Sequence, residues 1–368
     1  MTAAAHCRAA KGNPLVSTLP FRPFARTGLK APAGAVDPPF LFPQSFDFLQ
    51  WARLKCDTLI ALSIKVFLAI PNDAEGRSML GLSIAGQRRF AYGFWRYRED
   101  EIDAATQMLS LARESGIDHL DTADIYGGPG GFGGAERLLG KIRARAPGLF
   151  AGAIVATKAG VERGSPYNSS RAYITAACEA SLKRLGVERI DLFYIHRPDL
   201  LTHPAELAAT LDSLVSSGKA GAIGVSNFTP AHLDSVARHL KNPIRAHQIE
   251  FSAAHVPPLF DGTLDQAMGQ GIAVAAWSPL AGGRLVADEA NDALSPVRET
   301  LDRIAAHHGV SRTAAALAFV QRHPAPITAI LGTKTPARLR DSLRAEGVTL
   351  TRAEWYAILE ARLGHKMP

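Results

Sequence analysis

From about residue 78 onward the apolar residues fall into short β-prone runs, separated by stretches in which they recur every three or four positions. Eight such runs lie near residues 92–95, 119–121, 154–158, 190–195, 222–225, 246–250, 272–276 and 327–331. Between them Ala105, Met108, Leu109 and Ala112 share one helical face, as do Ile174, Cys178, Leu182 and Leu185, and Leu207, Leu211 and Leu214. This alternation predicts βα units around a parallel sheet. Eight units over residues 78–368 fit a closed (β/α)8 barrel. An open doubly wound sheet is the alternative, but its glycine fingerprint at the first strand-to-helix turn is missing.

Residues 1–75 do not share the pattern and read as an N-terminal extension, with a Pro/Phe-rich segment and an apolar run inside it. That run, residues 59–70, is too short for a membrane span and contains Lys65. Residues 1–36 hold five basic residues and no acidic one, with Ala, Pro, Ser and Thr, a composition shared by organelle transit peptides and by plain disordered tails. The expected location is the cytoplasm or, if the tail is a transit peptide, a chloroplast or mitochondrion.

Charge changes the picture little. The chain carries +7, but the residues beyond 36 hold 36 basic against 34 acidic groups, so the folded part is nearly neutral and nucleic acid is not an expected partner. Three cysteines, Cys7, Cys56 and Cys178, are too few and too scattered for a disulfide framework or metal cluster, which points to a reducing compartment. No metal site is expected.

In a barrel of this kind chemistry belongs at the C-terminal ends of the strands. Polar residues stand there in almost every unit: Asp121 with Tyr126 in GIDHLDTADIYGG, Lys158 in IVATK, His196 in YIHRPD, Ser226 and Asn227 in GVSNF, Gln248 in HQIEF, and Trp277 and Ser278 in WSPLAGG, before a terminal GTKTPAR. Singly each has an ordinary structural explanation. A carboxylate, a phenol, an ammonium and an imidazole at successive strand ends suggest one shared pocket.

Taken together these motifs resemble the aldo/keto reductase family, and within it the bacterial-type general oxidoreductases, over about residues 78–368. The resemblance implies NADPH-dependent reduction of aldehydes or ketones by an oxidoreductase of (β/α)8 fold, with Asp121, Tyr126, Lys158 and His196 as the catalytic tetrad. It also implies that Ser226, Asn227 and Gln248 hold the carboxamide of the cofactor and that Trp277 stacks on the nicotinamide. Ser278, Leu280 and Gly282 belong to the loop over the pyrophosphate, and Thr333, Lys334 and Arg338 to the site of the 2′-phosphate, which favours NADP over NAD. Trp95 is expected beside the cofactor and substrate, with Tyr97, loop 197–201 and residues 355–368 shaping the substrate pocket. Where many relatives place an Asn against adenine, this chain has Ser342. A barrel that binds NADPH as a sensor or auxiliary subunit is the alternative, as is a phosphate-handling barrel lyase or isomerase. The partner is a small carbonyl compound; oligomeric state stays open.

Overall fold

The computed structural model describes residues 89–368 apart from 129–130, 289–291 and 326. The expectations for residues 1–75 lie outside the described residues. Eight parallel strands follow one another around a closed barrel: β1 (Phe90–Gly93), β2 (His119–Asp121), β3 (Ile154–Ala159), β4 (Ile190–Ile195), β5 (Ala220–Ser226), β6 (Ile244–Glu250), β7 (Ala273–Trp277) and β8 (Ile327–Leu331). Closure is made by β1 on β8, with Phe90 opposite Ala329 and Tyr92 opposite Leu331. The fold is therefore the expected (β/α)8 barrel. β1 starts two residues before the predicted run because Phe90 is already paired with β8, and it stops at Gly93, which leaves Trp95 in the following loop.

The helices α1 (Ile102–Glu114), α2 (Gly134–Arg145), α3 (Arg171–Leu185), α4 (Pro204–Ser216), α5 (Pro230–Ala237) and α6 (Thr263–Gln270) connect successive strands. Two helices, α7 (Ser295–His308) and α8 (Arg312–Gln321), lie between β7 and β8, and α9 (Pro336–Leu343) and α10 (Arg352–Leu363) end the chain. Local chemistry sets their ends. Ser170 accepts from the Tyr173 amide at the start of α3, and Gly186 closes that helix in the left-handed conformation at φ 65°. Cys178, on the apolar face of α3, is fully buried.

Successive side chains of a strand point to opposite faces. One phase of these strands packs against the helices; the other fills the barrel with Ala91, Ile154, Ala156, Leu192, Tyr194, Ala222, Ala246, Ala275 and Ile330. Counting on by two along this inward phase reaches Trp95, Lys158, His196, Ser226, Gln248 and Trp277, and Asp121 joins it by standing opposite Ala156. Tyr194 lies one step deeper in the barrel interior, fully buried. Its ring lies so close to β5 that a Cβ on Gly224 would sit 2.6 Å from it, so only glycine fits there.

Candidate active site

Lys158 is fully buried and gives all three ammonium protons away: to Asp121 Oδ1 at 2.7 Å, to Asp121 Oδ2 at 2.8 Å and to the Thr122 carbonyl at 2.7 Å. Burial pulls its pKa down, and Asp121 opposes that pull. An isolated buried ammonium would lose its charge, so the ion pair is what can keep Lys158 protonated. The Gln248 side-chain amide completes Asp121 by donating to Oδ1 at 2.8 Å.

Tyr126 and His196 complete the cluster. The Lys158 ammonium lies 5.0 Å from the centre of the Tyr126 ring, and that ring meets the His196 imidazole edge-on at 5.7 Å. Burial, followed by the charge of Asp121, raises the phenol pKa, while Arg197 lowers it. The phenol is thus neutral and keeps its proton. His196 is driven the other way, to about 3, chiefly by burial and then by Lys158 and Arg197. At neutral pH only about one imidazole in ten thousand would be protonated, so His196 is a neutral hydrogen-bonding group rather than a proton reservoir.

Above this cluster β5 and β7 are tied together. Trp277 Nε1 donates to Asn227 Oδ1 at 2.9 Å, and Asn227 Nδ2 donates to Ser226 Oγ at 2.7 Å. Among the described residues the non-glycine residues with positive φ are Asn227 at 57°, Ser278 at 50° and Ala281 at 52°. All three stand just past the C-terminal ends of these two strands, and Gly282 and Gly283 continue the same turn at φ 72° and 108°. Strained backbone concentrated at one rim of a barrel is a feature of ligand-clamping loops. Leu280 is half-buried there, and Gly282 is exposed, its carbonyl accepting from Arg96 at 3.4 Å.

At the end of β8, Thr333 leads toward α9, whose first turn presents Arg338 to solvent, in no ion pair among the described residues. Lys334 differs: its ammonium is held by both oxygens of Glu101, at 2.8 and 2.9 Å, above the Tyr97 ring. Ser342 is buried and donates to the Arg338 carbonyl at 2.8 Å, so its hydroxyl is turned back onto its own helix. Trp95 is half-exposed, with the Arg96 guanidinium over its ring and Gly332 against its indole. Tyr97 is fully buried, its hydroxyl on that of Tyr92, and does not line an open pocket. Trp355 and Tyr356, in the C-terminal stretch expected to shape the substrate pocket, border a cavity of about 300 Å³ with Arg322, His323, Pro324 and Arg352, and Trp355 stacks on Phe319.

Two contributors were not singled out by sequence reasoning. Arg197 was read only as part of a variable loop, yet its guanidinium sits 5.7 Å from the Trp277 ring and its charge reaches both Tyr126 and His196. Asp124, in the middle of the DTADIY motif, is fully buried, and both its oxygens lack a well-formed hydrogen bond. Beside it Glu136 is also buried, accepting from Thr157 Oγ1 at 2.5 Å and from Arg184 Nε at 2.6 Å. Burial first and Glu136 second push the Asp124 carboxyl up to about 8.

That shift has a definite consequence for stability. Native Asp124 keeps its proton to about pH 8, whereas an unfolded Asp releases it near pH ~4, so between these values the native state binds more protons and stability falls as pH rises. We expect thermal unfolding midpoints of the wild type to decline from pH 5 to pH 8 relative to Asp124→Asn, which carries a permanently neutral amide. Parallel pH profiles for the two proteins would contradict a protonated Asp124.

Comparison with known proteins agrees with this geometry. The model of the aldo/keto reductase family matches residues 89–362. A 6-dehydroglucose reductase of Novosphingobium aromaticivorans is 43% identical over 295 residues, covering 78% of this chain and 96% of that protein. Oxidoreductase YdhF of Escherichia coli is 35% identical over 287 residues, covering 76% of this chain and 95% of its own length. Among solved structures, the glycerol dehydrogenase of Gluconobacter oxydans superposes with a TM-score of 0.68 at 26% identity, over 78% of this chain and 94% of that one. With the barrel closed and the polar strand ends gathered at one rim, this chain belongs to the aldo/keto reductase family of oxidoreductases.

Proposed function

We propose that the protein reduces aldehydes or ketones to alcohols with NADPH, Tyr126 acting as the general acid. The observation that carries this reading is the buried Lys158–Asp121 pair set against the Tyr126 ring, with neutral His196 at its edge. The residues present also suit the cofactor. The strained turn from Ser278 to Gly283 and the Trp277–Asn227–Ser226 chain offer a fixed rim for a nicotinamide ribose phosphate, and Gln248 an amide partner. When bound, the dihydronicotinamide supplies hydride to the carbonyl carbon.

The chain's own groups deal with the oxygen. Negative charge develops on it as the carbon is reduced, and the Tyr126 hydroxyl donates the proton that quenches it. His196, neutral and with its proton free to point into the pocket, donates a hydrogen bond that orients the oxygen. Lys158 acts through its field: all three of its protons are committed to Asp121 and Thr122, so it stabilises the emerging phenolate without a direct proton contact. Arg197 adds a second positive charge from the mouth.

The substrate class this reading favours is a polyhydroxylated aldehyde. The 6-dehydroglucose reductases of N. aromaticivorans and Agrobacterium fabrum are 43% and 34% identical to this chain, and Arg197 beside Trp277 offers a hydroxyl-binding cation next to a flat ring of the kind sugars pack on. NADPH oxidation by the purified protein, with NADH alongside, is to be measured against 6-dehydroglucose, simple sugars, and aliphatic and aromatic aldehydes. Turnover fastest on the sugar aldehyde is expected. Turnover confined to apolar aldehydes would overturn the substrate class; tight NADPH binding without turnover on any of them would replace the reductase reading by that of a cofactor-binding auxiliary protein.

Selectivity for NADPH would rest on Arg338 more than on Lys334, because Lys334 must first leave Glu101. A charge-assisted hydrogen bond is worth about 1.5–3 kcal/mol, or roughly 10- to 100-fold in affinity. Arg338→Ala is therefore expected to raise KM for NADPH by about that factor and leave KM for NADH unchanged, with Lys334→Ala weaker. Equal losses for the two cofactors would show that neither residue meets the 2′-phosphate.

A further inference from the structure

Far from the barrel rim in sequence, α7 ends in two adjacent histidines that converge on one carboxylate of α10. His307 Nδ1 lies 2.9 Å and His308 Nε2 3.0 Å from the same oxygen, Glu354 Oε1. Neighbouring residues of a helix point about 100° apart. The two rings nevertheless meet at one point because His307 uses its near nitrogen and His308, the last residue of α7 before Gly309 turns left-handed, its far one. The three ligand atoms all lie within 4.8 Å of one another.

We propose that His307, His308 and Glu354 form a binding site for a divalent transition-metal ion of the zinc class, clamping α10 onto α7. Two imidazole nitrogens and one carboxylate oxygen make a borderline donor set, suited to Zn²⁺, Ni²⁺ or Cu²⁺ and poor for Mg²⁺ or Ca²⁺. Zn–N and Zn–O bonds of about 2.0–2.2 Å imply tetrahedral ligand-to-ligand edges of roughly 3.3–3.6 Å. The two N···O separations, 2.9 and 3.0 Å, are hydrogen bonds slightly shorter than such an edge, and the His307 ring, its side chain 74% exposed, is free to rotate outward to admit the ion. Glu354 is preorganised. Its other oxygen accepts from the Thr351 amide and hydroxyl at 2.8 and 2.9 Å in the capping box of α10, which leaves Oε1 turned toward the histidines. Water completes the coordination on the exposed side.

The clamp would close the 45 residues between His308 and Glu354 into a loop, so ion binding should stabilise the fold rather than alter turnover. Calorimetric titration of the full-length, chelator-treated protein with ZnCl₂ is expected to show one equivalent bound, with a melting midpoint raised by about 5 °C at a hundredfold excess over Kd. MgCl₂ should do neither. The His307→Asn/His308→Gln double variant, measured against its own metal-free midpoint, should lose both responses, and Glu354→Gln should weaken them. Zinc held instead by Cys7, Cys56 or other histidines would persist in the double variant with the same stoichiometry and shift. That result, or no zinc uptake by the wild type, would overturn the site.

Discussion

Tyr126→Phe should lower turnover with NADPH by about 10²- to 10⁴-fold, the usual weight of a general acid, while leaving cofactor affinity and stability close to wild type. The substitution removes one oxygen. The ring that the Lys158 ammonium faces at 5.0 Å and that meets His196 at 5.7 Å is kept, so the packing of the cluster survives. His196 cannot take over: with its pKa near 3 it carries no spare proton at neutral pH, and the protons of Lys158 are engaged by Asp121 and Thr122. Residual activity should therefore depend on water as the acid and rise as pH falls. Stopped-flow reduction under single-turnover conditions, with NADPH fluorescence titrated in parallel, separates the two effects. A variant with near wild-type rates and unchanged pH dependence would remove Tyr126 from the reaction and leave His196 or a bound water as the acid.

Much of this site was legible before any coordinates because a strand alternates with a period of two and a barrel has one functional rim. Asp121, Lys158, His196, Ser226, Gln248 and Trp277 are recognisable as strand-end residues, and their gathering follows once the eight runs close in order. Partner choice was not legible. Lys334 and Glu101 are separated by 233 positions, and nothing local says that a lysine in GTKTPAR pairs with an acid before α1. The same holds for Gln248, whose amide meets Asp121 across the barrel, 127 positions away. Asp124 escaped notice for a different reason: in sequence it is one more polar residue in a loop after β2, and only burial beside Glu136 makes its proton count. Tyr97, expected with the loops that shape the substrate pocket, is instead fully buried, its hydroxyl meeting that of Tyr92 inside the core.

Lys158→Met is expected to have the largest effect on the fold as well as on activity. The change keeps the length of the side chain but strips both Asp121 oxygens and the Thr122 carbonyl of their ammonium donor in a region with almost no solvent access, Lys158 being 0% and Asp121 4% exposed. Breaking one side of a buried ion pair costs about 3–5 kcal/mol, because the remaining charge is left without compensation. For a barrel of this size that corresponds to a melting midpoint lower by roughly 10 °C. Gln248 still donates to Asp121 and limits the loss. Adding Asp121→Leu removes the orphaned carboxylate, so the double variant should be more stable than Lys158→Met alone even though it has lost two site residues rather than one. Turnover should stay absent in both, since neither retains a cation beside Tyr126 from this pair. The coupling is read from chemical denaturation of the wild type, the two single variants and the double variant. Additive losses would mean that Asp121 and Lys158 are stabilised independently, by Gln248 and the Thr122 carbonyl respectively, and that the pair does not hold the ammonium charged at the centre of the site.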